Sequence, residues 1–366
     1  MSKVPTAKRR RPAYLTLYEE LRRAIMEGDY AYGTKLPSKR VIAARHGVSV
    51  VTVEHALSIL LDEGYLAARE RSGYFAIFRA DDGFAAPPVP HAVPKSHPVA
   101  HDIPDSFPFS VLARTMRRVL TEYEKEILVK SPNNGVLALR SAICAYLSRS
   151  RGIKASPEQI VIGSGAEYLY GLVVGLLGKD RIFGVEDPCY EKIPAVYRAS
   201  GARCEPLAMG SDGITAGALA ASAATVLHIT PYRSFPSGIT ASASKRQEYL
   251  AFAERRNGYL VEDDFDSEFT VSAKTEDTLF SLDAERVIYI NTFSRTVAPA
   301  MRMGYMILPS VLLPCFRERV GFYSCTVPTF EQYVLAELLD SGDFERHINR
   351  VRRAGRRAAE EKKQKR

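Results

Sequence analysis

Apolar residues recur three and four positions apart at Tyr14, Leu17, Tyr18, Leu21 and Ile25, which draws one stripe along a helix. Gly28 and the Gly33-Thr34 turn stop it. Leu36-Pro37-Ser38 leads into a short second helix with Ser38 as its N-cap, and Gly47 suits the left-handed residue that closes it. Ser49 opens a third helix whose Val53, Ala56, Leu57, Leu60 and Leu61 face inward, and Gly64 ends it. From Tyr65 to Phe78 the pattern becomes a loose alternation with a turn at Arg71-Ser72-Gly73, which predicts two strands. Proline then dominates between Ala80 and Phe109, a density that neither a helix nor a central strand accepts. From about residue 110 a different rhythm starts. Short apolar runs at 160–162, 181–185, 225–229, 258–261 and 287–290 predict buried strands, and longer helical stretches separate them. That alternation predicts an α/β domain with a mostly parallel sheet covered on both faces.

The pattern divides the chain into residues 12–79, a proline-rich spacer over 80–109, a large domain over 110–357 and a charged tail over 358–366. Charge sharpens the division. Residues 1–79 carry 14 Lys and Arg against 8 Asp and Glu, residues 346–366 carry 10 against 2, and the stretch between carries 26 against 32. Basic ends flanking an acidic body point to a phosphate backbone as partner of the N-terminal part. No apolar run reaches the roughly 18 residues of a membrane helix, and the basic start has no apolar core of a signal peptide. The five cysteines are dispersed, with no metal-ligand spacing, which fits reduced thiols in a cytoplasmic protein.

Helix, helix–turn–helix and a two-stranded wing form a DNA-reading layout, with the third helix placed to enter the major groove. The strings GTKLPSKRVIAARHGVSVVTVEHALSILLDEGYL and RSGYF resemble the GntR-type winged helix–turn–helix. The resemblance implies that Lys39, Arg40, Ser49, Thr52 and His55 meet double-stranded DNA and that Gly73 sits at the wing tip. Val50 departs from the pattern, because the family usually has arginine there. Losing a bidentate arginine–base contact costs about 1–3 kcal/mol of discrimination, so weaker or altered sequence preference is expected.

In the large domain, the segments after the strand candidates carry the chemistry. Gly163-Ser164-Gly165-Ala166-Glu167 opens a helix whose N-terminus suits a phosphate. Asp187-Pro188-Cys189-Tyr190 offers a ring for stacking. Asp263 lies in an acidic run after another strand, and Ser294 and Arg302 add a hydroxyl and a guanidinium suited to phosphate. The strings IVIGSGAEYL, VEDPCY, TPYRSFPSG, VEDDFDSEF and NTFSRTVAPAMRMGY, taken in this order, resemble the MocR family, in which a GntR-type domain is fused to a pyridoxal phosphate fold-type I aminotransferase-like domain. The resemblance implies a homodimer on promoter DNA with repeated half-sites and a small-molecule effector that the sequence does not select. It also implies Asp263 at the pyridine nitrogen, Gly165, Ala166, Ser294 and Arg302 at the phosphate, and Tyr190 stacked on the ring.

The departures gather at this site. Arg295 stands where the family has the lysine that bonds the cofactor's aldehyde. A guanidinium stays protonated and does not take that role. Phe265 replaces a tyrosine, and Tyr232-Arg233-Ser234-Phe235-Pro236 replaces Ser-His-Gln-Phe-Pro. The chain ends near the point where the family continues into its small domain, so an incomplete small domain is expected. Three readings of the pocket stay open: noncovalent pyridoxal phosphate, Arg295 paired with Asp263 and filling the site, or another anion anchored by Arg295. The expected function is transcription regulation without catalysis. The alternatives are a cofactor-insensitive relative and a pyridoxal phosphate aminotransferase.

Overall fold

The computed structural model describes residues 12–70, 72–79, 107–270 and 277–364, with side chains to residue 357. The chain divides into two compact units, residues 1–99 and 100–366. Residues 80–106, most of the expected spacer, lie outside the described part.

In the first unit, α1 (Ala13–Glu27), α2 (Lys39–His46) and α3 (Val50–Asp62) precede a hairpin of β1 (Leu66–Arg69) and β2 (Gly73–Ala76). The boundaries follow local chemistry. The Ser38 hydroxyl accepts from the Val41 N–H, and the Ser49 hydroxyl accepts from the Thr52 N–H at 3.1 Å, each satisfying an N–H that a helix start leaves without a partner. Gly47 closes α2 at φ +64°, in the left-handed region where a side chain is strained. Leu17, Leu21 and Ile25 pack on Val53, Ala56, Leu57 and Leu60, all buried. Full burial of each of these Leu, Ile and Val side chains contributes roughly 1.5–3 kcal/mol, so this stripe holds the small unit together. Lys35 adds an antiparallel bridge to Phe75, giving the wing a third contributing segment that the sequence pattern did not mark.

The second unit contains α4 (Phe109–Glu122), α5 (Leu137–Arg151), β3 (Ile160–Gly163), α6 (Ala166–Leu177), β4 (Ile182–Asp187), α7 (Lys192–Ala199), β5 (Arg203–Ala208), α8 (Ala216–Ala221), β6 (Val226–Ile229), α9 (Ala243–Arg255), β7 (Tyr259–Asp263), α10 (Leu279–Leu282), β8 (Val287–Thr292), β9 (Gly304–Ile307), α11 (Leu313–Arg319), α12 (Thr329–Asp340) and α13 (Asp343–Gln364). The sheet order is β3-β9-β8-β7-β6-β4-β5, parallel except for β9, which runs antiparallel to both neighbours. One apolar cluster covers each face of the sheet, with Leu227, Leu260 and Tyr289 in one and Val226, Val261 and Ile288 in the other. This is strand alternation with both faces buried. Strands β4 and β6 are neighbours, yet the chain leaves β4 outward to β5 before returning. The switch point therefore lies between β4 and β6, where open α/β sheets bind ligands.

Two strands and two boundaries differ from the sequence reading. Strands β5 and β9 were not expected. Phe107 is buried in the second unit and α4 begins at Phe109, so the spacer does not extend to residue 109. Helix α13 runs through Gln364, so no break separates the large domain from the tail at 357.

Candidate functional site

The carboxyl ends of β4, β6, β7 and β8 and the start of α6 surround a cavity of about 390 Å³. Ala166, Tyr190, Asp263, Ser294, Arg295 and Arg302 all line it, so six of the seven residues assigned to the cofactor from sequence meet there. The seventh, Gly165, sits at φ +100° beside it, and a Cβ at that position would lie 3.3 Å from the Arg302 guanidinium. The backbone turn that starts α6 and the Arg302 side chain therefore press together at one end.

At another wall, Asp263 ends β7 with 4% of its surface exposed. Its Oδ2 accepts from the Tyr170 hydroxyl, and His228 Nε2 lies 3.7 Å from the same oxygen. Burial, then the neighbouring Asp263 charge, holds the Tyr170 hydroxyl well above its ordinary pKa, so it stays a donor. His228 Nδ1 lies 2.6 Å from the Tyr197 hydroxyl. The other carboxylate oxygen, Oδ1, is buried and has no hydrogen-bond partner among the described residues. A buried acceptor left unmatched costs about 1–3 kcal/mol, and the residue that carries this one lines the cavity.

Strand alternation sends the next residue the other way. Asp264 accepts from the Tyr289 hydroxyl at 2.7 Å and pairs with Arg151 at 2.8 Å, away from the cavity. The turn after β7 then brings Asp266 to Arg295. Arg295 Nη1 lies 2.8 Å from Asp266 Oδ1, and Arg233 Nη1 lies 3.1 Å from Oδ2. The expected alternative of an Arg295–Asp263 pair is thus corrected: the guanidinium is held by Asp266 and stays 48% exposed, and it does not fill the site. Its carbon sits 5.9 Å from the Phe265 ring centroid, within cation–π range. Burial raises the Asp266 pKa, while the Arg295 and Arg233 charges oppose the shift. Tyr190 stands edge-on to Phe235, centroids 6.3 Å apart, on the cavity wall. Glu167, in the first turn of α6, lies 2.7 Å from Lys192 Nζ and 3.9 Å from Arg302 Nη2. Tyr170, His228, Asp266 and Glu167 escaped the sequence reading. The helical spacing from Ala166 to Tyr170 was the available signal for the first.

In the first unit, Lys39 Nζ lies 2.8 Å from Glu54 Oε1 and over the Tyr74 ring, while Arg40 is exposed. The Ser49 and Thr52 hydroxyls bond each other at 2.8 Å at the start of α3. His55 stacks on Tyr14, centroids 4.1 Å apart and 18° from parallel. Gly73 starts β2 at φ +107°, opposite Arg69. Arg71 lies outside the described residues. Among the described residues, no helix is long and apolar enough to cross a membrane, and no cluster of three or more His, Cys, Asp and Glu suits a metal ion.

Comparison with known proteins gives the frame. The family of bacterial regulatory proteins of the gntR type matches residues 13–75, and aminotransferase class I and II matches residues 106–364. The uncharacterized HTH-type transcriptional regulator YdeL of Bacillus subtilis is 32% identical over 94% of this chain and 77% of its own length. The probable rhizopine catabolism regulatory protein MocR of Rhizobium meliloti is 29% identical over 93% of this chain and 74% of its own. Among solved structures, the kynurenine aminotransferase of Pyrococcus horikoshii matches with a TM-score of 0.61 and 25% identity, covering 68% of this chain and 64% of that one. The chain thus spans about three quarters of these curated relatives and under two thirds of that solved aminotransferase. A GntR-type helix–turn–helix followed by an aminotransferase class I and II domain, with regulator relatives along nearly the whole chain, places this protein in the MocR-type family of HTH transcriptional regulators.

Proposed function

We propose that the protein binds promoter DNA as a dimer on paired half-sites and that its aminotransferase-like domain senses pyridoxal phosphate without bonding to it. The observation that carries the sensing half is the unmatched Asp263 Oδ1 on the cavity wall, beside an Arg295 that Asp266 holds aside. In that site pyridoxal phosphate would supply a ring nitrogen, an aldehyde and a phosphate dianion. Asp263 Oδ1 is the acceptor for the ring N–H, with Tyr170 fixing the carboxylate through its other oxygen. Ser294, Arg302 and the N-terminus of α6 at Gly165 and Ala166 take the phosphate. Tyr190 covers the ring. Arg295 gives up no proton at neutral pH, so position 295 offers no amine to the aldehyde.

For the DNA half, the support is the order of α2, α3 and the β1–β2 hairpin, with α3 as the groove helix. A second reading, a regulator indifferent to the cofactor, is favoured by one feature: Glu167 sets a carboxylate between Lys192 and Arg302, where the phosphate would go. Fluorescence anisotropy decides between them. The full chain is titrated onto a duplex selected from a random pool, with and without pyridoxal phosphate. Sensing gives a shift in DNA affinity of about fivefold or more, the lower range of allosteric coupling. Equal affinity overturns sensing, and no enrichment of any duplex overturns DNA binding.

A further inference from the structure

The first turn of α3 presents two valines to solvent. Val51 is 72% exposed and Val50 39% exposed. Neither packs in the core of its unit, which Val53, Ala56 and Leu57 on the opposite face fill. The polar groups around them are already engaged. Ser49 and Thr52 share a hydrogen bond, with Ser49 also capping the helix, and Lys39 is paired with Glu54 on the same helix. Exposed branched apolar residues at the tip of a helix raise a question of what covers them. The match of residues 13–75 to the gntR family and the basic balance of the N-terminal segment answer that the covering surface is duplex DNA.

In the major groove the apolar feature of a base edge is the thymine 5-methyl group. A guanine presents acceptors there that a valine does not match. We propose that Val50 and Val51 read thymine methyl groups, so that this regulator's half-site is specified at α3 by apolar contact and not by an arginine–guanine pair. The inference rests on the DNA-binding reading. Arg40, exposed on α2, contributes backbone attraction that carries no sequence information.

The test uses the full chain and its own selected duplex. Each thymine of the enriched half-site is replaced by uracil, which removes the methyl group and leaves every hydrogen bond. At one or two positions, affinity drops about fourfold per methyl, the scale of one buried methyl or methylene. In Val51→Ala, whose side chain is exposed and whose fold is undisturbed, the penalty for uracil at one of those positions disappears, as a double-mutant cycle requires for a direct contact. The idea is overturned if thymine and uracil duplexes bind alike, or if Val51→Ala and Val50→Ala both keep the full uracil penalty. Failure to enrich any duplex would strike the DNA-binding reading itself, a separable outcome.

Discussion

The cavity has two sides that have fared differently. At the Asp263 wall, the carboxylate is buried, bonded through one oxygen by Tyr170 with His228 Nε2 3.7 Å away, and its other oxygen has no hydrogen-bond partner among the described residues. At the Arg295 wall, the expected lysine and tyrosine are Arg295 and Phe265, and a new ion-pair set links Asp266 to Arg295 and Arg233. The first side needs only a fixed acceptor. The second once needed an amine able to lose its proton, and a guanidinium has none to spare. In the proposed reading, position 295 no longer supplies a bond-forming amine while Asp263 stays placed to orient a ligand. That is the property a sensor uses, because sensing requires differential binding and not turnover.

The largest expected effect comes from putting the amine back. Arg295→Lys is expected to convert a protein that borohydride leaves unlabelled by pyridoxal phosphate into one labelled near one per chain, read by mass spectrometry. If the variant stays unlabelled, the Arg295 wall has diverged beyond that one residue. Next comes the wall said to be intact. Asp263→Asn removes the charge that pairs with the ring N–H, and pyridoxal phosphate binding should weaken about 10–100-fold in an absorbance titration, the range for a hydrogen bond to a charged group. Unchanged affinity would erase the contrast between the two sides. Arg302→Gln touches the phosphate end. Its side chain is more than half exposed, so solvent screening limits the loss to about tenfold or less.

The last effect is on stability and not on ligand binding, and it concerns the loop carrying Arg233. Glu186 accepts from the Thr230 N–H at 3.2 Å and from the Ser234 hydroxyl at 2.5 Å, and burial pushes its pKa up to about 7. A folded-state value above the unfolded one means that the native state holds the proton more tightly. The contribution of this group is full below about pH 4.5 and is lost as pH rises toward 7, by up to about 1.4 kcal/mol per pH unit where the two states differ by one proton. Glu262 and Glu268, raised to about 7 by burial, act in the same direction. Urea unfolding at pH 5 and pH 7 should show the trend, and Glu186→Gln should flatten it. A slope identical in the variant would remove Glu186 as a contributor.

How much of this was written in the sequence depends on the range of the interaction. Ser38, Ser49 and Gly47 act on N–H and C=O groups within a turn of themselves, so their roles could be read directly. The strands with continuous apolar runs could be read as well. Strand β5 could not: it is an edge strand with Pro206 in it and mostly exposed or half-buried residues. Strand β9 is four residues at the end of the motif that carries Arg295, and chemistry masked its short apolar pattern. The gathering of Asp263, Ser294 and Arg302 followed from strand ends and resemblance. Arg295's partner did not. Asp263 and Asp266 are three residues apart, and only the turn after β7 decides which one reaches the guanidinium. Tyr170 and His228 reach Asp263 from α6 and β6, far along the chain, and no local pattern announces that meeting.

The central claim is that the pocket keeps its ligand without a bond. The most direct test is an absorbance titration of the natural protein with pyridoxal phosphate, followed by borohydride treatment and dialysis. The account predicts a saturable spectral change that dialysis reverses fully, before and after borohydride. A titration with no saturation, or a label that survives dialysis at the cavity, would contradict it.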